Sequence, residues 1–344
     1  MNIVSARLLS QHLSSPKFSL PEEVVSHFGA MQAQEYRMMR WAVGMRTRRP
    51  SAEAFRKAYD SGKIIRLHLL RGTWQLVSAE DYRWMLDLCS PGGFSVTMGW
   101  MHAAGYRITE EEIGRTREIL CMTVASLRSA TKQDFAEELS RKGIVMEDHR
   151  LSFHIRLAEL SGTLCSGDLH PSKATYSLTD EKVPFRPPMD RDASLMMLSE
   201  KYFRSHSPST LEDFVWWSGL TKGDCRRGIE LSGGDILPLK LKNRTFYVHR
   251  DARVAGFRRG IILLPPYDEY LIGYKSRDLV LPTDHVHRAH NNSGIFYPVI
   301  LRDGVAVGNW NPFGKGFSPT PFNEDDSLEG ASEKWDRYQQ FLKK

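Results

Sequence analysis

Thr210-Leu211-Glu212-Asp213-Phe214-Val215-Trp216-Trp217-Ser218-Gly219 is the stretch on which the fold turns. A threonine followed three residues later by an acid marks a helix start. The hydroxyl accepts the N3 amide proton while the carboxylate reaches back to the cap. Gly219 supplies the residue that can end such a helix in a left-handed turn. Thr221 then opens a second helix through Arg226, Arg227 and Ile229, and the run beyond Gly233-Gly234 predicts strands over 236–249. Capped helix, turn, second helix, glycine, short hairpin is the order of a winged helix, a helix-turn-helix that carries a β-wing.

The same opening recurs upstream. Ser19-Leu20-Pro21-Glu22 and Thr131-Lys132-Gln133-Asp134 both read Ser/Thr-x-x-Asp/Glu, and Phe135 matches Phe214 as the first buried aromatic. Gly72 leads into Thr73-Trp74-Gln75-Leu76-Val77, and Gly162 into Thr163-Leu164-Cys165. Spacings of 112 and 79 residues between the three starts are too long and too unequal for a solenoid. Beyond 251 the texture becomes β-rich. Residues 260–266, 270–274 and 296–301 read as strands, Asp303-Gly304 as a hairpin turn, and 327–342 as a closing helix that buries Trp335, Tyr338 and Phe341. The expected class is therefore α+β: mostly helical tandem winged-helix units with small antiparallel β-wings and a β-rich C-terminal part. The boundaries fall at 1–90, 91–187, 188–250 and 251–344.

Composition narrows the class of partner. With 41% hydrophobic and 26% charged residues in 344, the chain is neither disordered nor a coiled coil. It has no apolar run near the roughly 20 residues that span a bilayer, so no membrane role is expected. The N-terminus lacks a signal-peptide pattern, and Cys89, Cys121, Cys165 and Cys225 form no C-x-x-C pair. Reduced thiols in a cytoplasmic protein are expected. The net charge of +6 is unevenly placed: residues 1–77 hold twelve Lys/Arg against five Asp/Glu, while the tail from 321 is net acidic. Arg37, Arg40, Arg46, Arg48 and Arg49 lie in that basic module. A field confined to one module suits a polyanion such as DNA, whose phosphates release counterions when neutralised. A solvated helix face is the alternative.

Inside this module stands Ala30-Met31-Gln32-Ala33-Gln34-Glu35. In a helix, residues two apart point about 200° apart, but in an extended or turn segment both fall on one side. If the preceding helix ends near residue 31, Gln32 and Gln34 can converge on one point. Two carboxamides could then hold a water against a strained bond without adding charge. Two surface glutamines at a helix end are the plainer reading.

Q-A-Q after a capped helix resembles the Q-apolar-Q signature of the AlkZ-like winged-helix DNA glycosylases. The stretch His68-Leu69-Leu70-Arg71-Gly72-Thr73-Trp74 with Ser78-Ala79-Glu80-Asp81-Tyr82 resembles that family's first wing and following helix. Leu263-Leu264-Pro265-Pro266-Tyr267-Asp268-Glu269-Tyr270 resembles its C-terminal signature, and Arg302-Asp303-Gly304 with Gly308-Asn309-Trp310 its closing hairpin. These blocks run in the family's order from residue 1 to about residue 310.

The resemblance implies a monofunctional glycosylase that hydrolyses the N-glycosidic bond of alkylated purines in double-stranded DNA, in some members including interstrand crosslinks, and a monomer is expected. It implies three winged helices around a cleft, Gln32 and Gln34 orienting water, and neither metal nor cofactor. The chemistry is consistent, because an N7-alkylpurine is already a cationic leaving group and needs little general-acid help. Arg37, Arg40, Arg46, Arg48 and Arg49, with His68, Arg71, Thr73, Trp74 and Gln75 on the first wing, become candidate DNA contacts. Gln75 stands where the family usually carries histidine, and an amide cannot titrate near neutrality. A non-catalytic winged-helix DNA-binding protein or transcriptional regulator is the alternative.

Other features point less far. Asp268 and Glu269, adjacent in an expected strand, should face opposite ways and serve structure. His285, His287 and His290 lack neighbouring cysteines or paired carboxylates, so a loop is expected rather than a metal site. Phe313-Gly314-Lys315-Gly316 lacks the spacing of a P-loop. Trp41, Trp84, Trp216 and Trp217 are expected in the core, and Trp74 is the tryptophan most expected at the surface.

Overall fold

The structure, a computed structural model, describes residues 2–253 and 255–343. Helices alternate with small antiparallel sheets, as the α+β reading expects. The chain forms two compact units, one made of Met1–Phe55 with Leu195–Lys344 and the other of Arg56–Ser194. Among the described residues no helix is long and apolar enough to cross a membrane.

In the first unit, the deciding stretch folds as its caps dictate. Thr210 Oγ1 accepts the Asp213 N–H at 3.1 Å and Asp213 Oδ2 accepts the Thr210 N–H at 3.0 Å, closing a capping box on the helix Leu211–Ser218. Gly219, at φ 73°, ends it. Thr221 caps the next helix, Lys222–Leu231, and the strands Ile236–Leu241 and Arg244–His249 pair antiparallel from Ile236↔His249 to Leu241↔Arg244. The expected order is present. One side chain differs: Trp216 is 39% exposed rather than in the core, while Trp217 is buried.

The first cap shifts by one residue. The helix runs Pro21–Phe28 from Leu20, and Glu23, not Glu22, accepts the Ser19 and Leu20 N–H groups at 2.9 Å each. Pro21 fixes the first helical turn, so the acid that reaches the cap lies three residues beyond Leu20 rather than beyond Ser19.

The C-terminal part of this unit is an antiparallel sheet of Ile261–Leu264, Val299–Arg302, Val305–Asn309 and Thr320–Pro321. Asp303 and Gly304 turn the central hairpin at φ 52° and 91°, the left-handed pair that a two-residue turn requires. Residue 304 must also be small, because a Cβ there would overlap Val4 Cγ1. Residues 270–274 depart from the strand reading. Asp268 Oδ1 accepts the Tyr270 N–H at 2.9 Å and starts a short helix, Glu269–Ile272. The closing helix, Ala331–Lys343, buries Trp335, Tyr338 and Phe341 as expected. Trp41 packs on Tyr338 and Phe341 at ring separations of 5.3 and 5.2 Å. Burial of each such ring stabilises the fold by about 1.5–3 kcal/mol.

The second unit repeats the helix-and-hairpin theme. Ile64–His68 and Trp74–Ser78 pair antiparallel across a turn with Arg71 at φ 56° and Gly72 at φ 69°. Ser78 caps the long helix Ala79–Ala103 through the Asp81 N–H. Thr131 and Asp134 close a true capping box on Lys132–Arg141. Leu164–Ser166, Thr175–Leu178 and Ala130–Thr131 form a small sheet beside the helix Asp148–Leu160.

Candidate active site

The Pro21–Phe28 helix stops at Gly29, whose φ of 77° and close approach to Lys201 exclude a larger residue without adjustment. The chain is then extended over Ala30–Gln32 and bends before the helix Met39–Gly44. The helix thus ends before residue 31, and both glutamines lie outside it. Their exposure differs. Gln32 is only 5% exposed, whereas Gln34 is exposed to solvent.

Gln32 is anchored by its backbone. Its N–H donates to Glu269 Oε1 at 2.5 Å. Glu269, 2% exposed at the start of the helix Glu269–Ile272, also accepts from Trp217 Nε1 at 3.1 Å, and His206 Nε2 lies 3.2 Å from the same oxygen, Oε2. The His206 ring stacks on Tyr202 at 4.6 Å. A carboxylate already engaged on both oxygens is a positioning group rather than a free base. It fixes the strand that leads into Gln34.

Asp268, one residue earlier, is bound to Arg46, and this corrects the reading of Arg46 as a phosphate contact. The guanidinium and the carboxylate are both fully buried. Arg46 Nη1 and Nη2 donate to Asp268 Oδ2 and Oδ1 at 2.9 and 2.8 Å, a bidentate pair. The remaining donors reach Ala42 O at 2.7 Å, Gln11 Oε1 at 2.9 Å and Gln11 O at 3.1 Å. No donor faces solvent, so Arg46 holds the fold. Arg48 and Arg49 are exposed. The Arg37 side chain is half-exposed, lies 3.7 Å over the Phe313 ring and pairs with Glu35 at 3.5 Å. Arg40 is half-buried and donates to Arg37 O at 3.1 Å.

Two histidines near this segment are kept neutral. Burial pushes His27 down to about 3 and His12 to about 4, with the charge of Lys17 adding to the shift of His12. Their rings meet edge-on at 4.9 Å, and His27 Nε2 lies 3.1 Å from Ser10 O.

In the second unit the first-wing candidates divide. His68 is buried, with Nδ1 2.6 Å from Glu159 Oε2, so it does not present the exposed DNA contact expected of it. Burial and the neighbouring Arg156 and Arg66 hold the imidazole well below its ordinary value, and burial raises the Glu159 carboxyl. Gln75 is also buried, and its Nε2 donates to Thr73 Oγ1 at 2.9 Å. That amide orders the turn rather than reaching outward, again a correction. Thr73 Oγ1 in turn donates to Leu70 O at 3.0 Å. Arg71 and Trp74 are half-buried, and Trp74 is less open than the 43%-exposed Trp100. The Trp74 ring is fixed by Arg66 Cζ at 3.7 Å and by the His68 ring at 3.7 Å.

Among the described residues no group of three or more His, Cys, Asp or Glu side chains is placed to hold a metal ion. His285 pairs with Asn323 at 3.0 Å, and His290 stacks on Phe296.

With this geometry in place, a family model described as DNA glycosylase AlkZ-like matches residues 25–318. The chain belongs to the AlkZ-like DNA glycosylase family. It is 22% identical over 341 residues to the interstrand DNA cross-link repair glycosylase of Streptomyces sahachiroi, covering 94% of this chain and 90% of that protein. The solved structure of the Streptomyces sahachiroi DNA glycosylase AlkZ superposes with a TM-score of 0.78 at 20% identity, covering 99% of this chain and 95% of that one. The latter likeness establishes a shared fold.

Sequence reasoning missed Glu269 as the anchor of Gln32 and Glu159 as the partner of His68. A strand reading of 270–274 hid the first. The signal available was Pro265-Pro266 followed by Asp268, an acid placed to cap a helix. Glu159 gives a fainter signal, a lone acid between Ala158 and Leu160 on an otherwise buried helix face.

Proposed function

We propose that the chain is a monofunctional, monomeric, cytoplasmic glycosylase that hydrolyses the N-glycosidic bond of alkylated purines in double-stranded DNA. The observation that carries this reading is the tethered Gln32 followed by the exposed Gln34 in a non-helical segment. Gln34 offers a donor and an acceptor to an attacking water, and Gln32 fixes the backbone beside it. An N7-alkylpurine leaves as a neutral base, so the task left to the protein is to place water and tolerate positive charge on the sugar. A bulky or crosslinked adduct fits the same chemistry, because no proton must be delivered to the departing ring. The name of the Streptomyces sahachiroi relative, an interstrand DNA cross-link repair glycosylase, favours such substrates.

Arg48 and Arg49, exposed beside this segment, are the proposed phosphate contacts, with Arg37 and Arg40 nearer the glutamines in sequence. Arg71, Thr73 and Trp74 are the proposed contacts from the first wing. The winged-helix boundaries at 90, 187 and 250 belong to this proposal as well. A duplex carrying N7-methylguanine tests it: the protein should liberate the free base and leave an uncut abasic strand. DNA binding without base release would favour a non-catalytic winged-helix protein instead, and a nicked strand would exclude monofunctional hydrolysis.

A further inference from the structure

A cleft of about 350 Å³ opens within the Arg56–Ser194 unit, lined by Trp74, Trp100, Phe153, Tyr176, Lys132 and Arg156 among others. Its size falls in the range of about 300–1,000 Å³ typical of small-molecule sites. The aromatic walls are set by their neighbours. Trp74 is held by Arg66 and His68, while Tyr176 lies 5.6 Å from Phe135 and 6.5 Å from Trp74. Trp100 passes close to Gly72, where an added Cβ would stand 3.3 Å from the indole, and Arg156 Cζ lies 4.7 Å over its ring. Even so, Trp100 is 43% exposed, a large indole left in water at a cleft wall.

The polar lining is cationic. Arg156 is half-buried at the cleft wall; its Nη1 has no hydrogen-bond partner among the described residues but is closed off from solvent, so an anion in the cleft would meet the rest of the guanidinium. Lys132 Nζ is 2.7 Å from the exposed Asp148 and 2.6 Å from Ser152 Oγ, a surface ion pair that another anion can displace at small cost. A purely apolar ring would leave the cationic wall without an acceptor. A bare anion would leave the aromatic walls in water. A planar ring that carries a negative group satisfies both.

We propose that this cleft binds a nucleotide, its base against Trp74, Trp100 and Tyr176 and its phosphate on Arg156 and Lys132. Stacking on aromatic faces tolerates any base, and a charged fork suits phosphate. The choice of a nucleotide over other ringed anions rests on the family to which the chain belongs, while the cleft itself involves neither Gln32 nor Gln34. Both a free nucleotide and an unstacked nucleotide of a DNA strand have this chemistry.

Calorimetric titration of the full chain with dGMP, deoxyguanosine and a short single-stranded oligonucleotide tests the proposal. Arg156→Gln and Trp100→Leu should each weaken binding by roughly tenfold, the scale of one charge-assisted contact or one stacked base. Deoxyguanosine should bind roughly tenfold more weakly than dGMP, having lost the phosphate contact. Binding of dGMP but not the oligonucleotide identifies a free nucleotide as occupant; the reverse identifies a strand. Lys132→Gln, at a half-buried surface position, serves if either of the other variants fails to fold. No binding of dGMP or oligonucleotide, or binding unchanged in all folded variants, overturns the proposal. Because the titration reads no catalysis, Gln34→Ala should titrate as the unaltered chain does, which separates this result from the base-release test.

Discussion

Replacement of Arg46 by alanine separates a phosphate-contacting arginine from one that holds the fold. The guanidinium makes five hydrogen bonds, two of them to Asp268, and both partners are fully buried. Removing it leaves the fully buried Asp268 carboxylate with the Tyr270 N–H as a remaining donor. Breaking a buried pair from one side costs about 3–5 kcal/mol. Against a total stability of roughly 5–15 kcal/mol, that is a large share. Urea unfolding followed by circular dichroism should therefore show a much lower midpoint for Arg46→Ala. The double variant Arg46→Met with Asp268→Leu should lose less than the sum of its parts, since no buried charge is stranded. Arg48→Ala and Arg49→Ala should behave oppositely. Each should leave the midpoint unchanged and reduce the slope of log binding constant against log salt by about 0.9 if it meets one phosphate. An Arg46→Ala protein as stable as the unaltered chain, with a flattened salt slope, would refute the structural role assigned to this residue.

Glu269→Gln keeps the shape of the side chain but places an NH2 among donors, so the Gln32 tether and the Trp217 bond cannot both survive. We expect about 1–3 kcal/mol lost in urea unfolding together with slower base release; unchanged values for both would remove Glu269 as a positioning residue. His12 and His27 are neutral in the folded chain, with values near 4 and 3 against an ordinary 6.5. Their contribution is complete above pH 6.5 and is lost as pH falls toward 4 and then 3, because the unfolded chain binds the protons first. The drop at His12 alone corresponds to about 3 kcal/mol as an upper figure. Unfolding free energies at pH 7.5, 5.5 and 4.5 should fall accordingly, and His27→Phe should flatten the trend; an equally steep loss in that variant would remove His27 as a source. Gly44→Ala places a Cβ 2.7 Å from Phe341 Cε2, so the closing helix must shift. A cost of about 1–3 kcal/mol is expected, and a neutral effect in thermal unfolding would show that the Phe341 ring moves freely.

Local chemistry made the helix starts readable. Thr131 with Asp134, Thr210 with Asp213 and the Asp303-Gly304 turn each rely on contacts within three or four residues, so the chain order alone determines them. Errors arose where a distant partner decides. Arg46 looks like one of three surface arginines until Asp268, 222 residues away, supplies its carboxylate. His68 looks like a wing tip until Glu159 fills its ring nitrogen. Residues 270–274 have strand-like composition, but the cap made by Asp268 turns the chain into a helix and brings Glu269 to Gln32. The extended state of the glutamine segment was foreseeable from Gly29, whereas the difference in exposure between Gln32 and Gln34 depends on long-range packing and was not.

The most direct measurement is single-turnover base release from an N7-alkylguanine duplex, with DNA binding measured in parallel for the unaltered chain, Gln34→Ala and Gln32→Ala. Loss of a properly placed hydrogen-bonding group at the reacting centre slows such a step by about a hundredfold or more. Gln34→Ala should bind the duplex normally and release base that much more slowly. Equal release rates from Gln34→Ala and the unaltered chain, or tight binding with no release from either, would contradict a water-positioning role for Gln34.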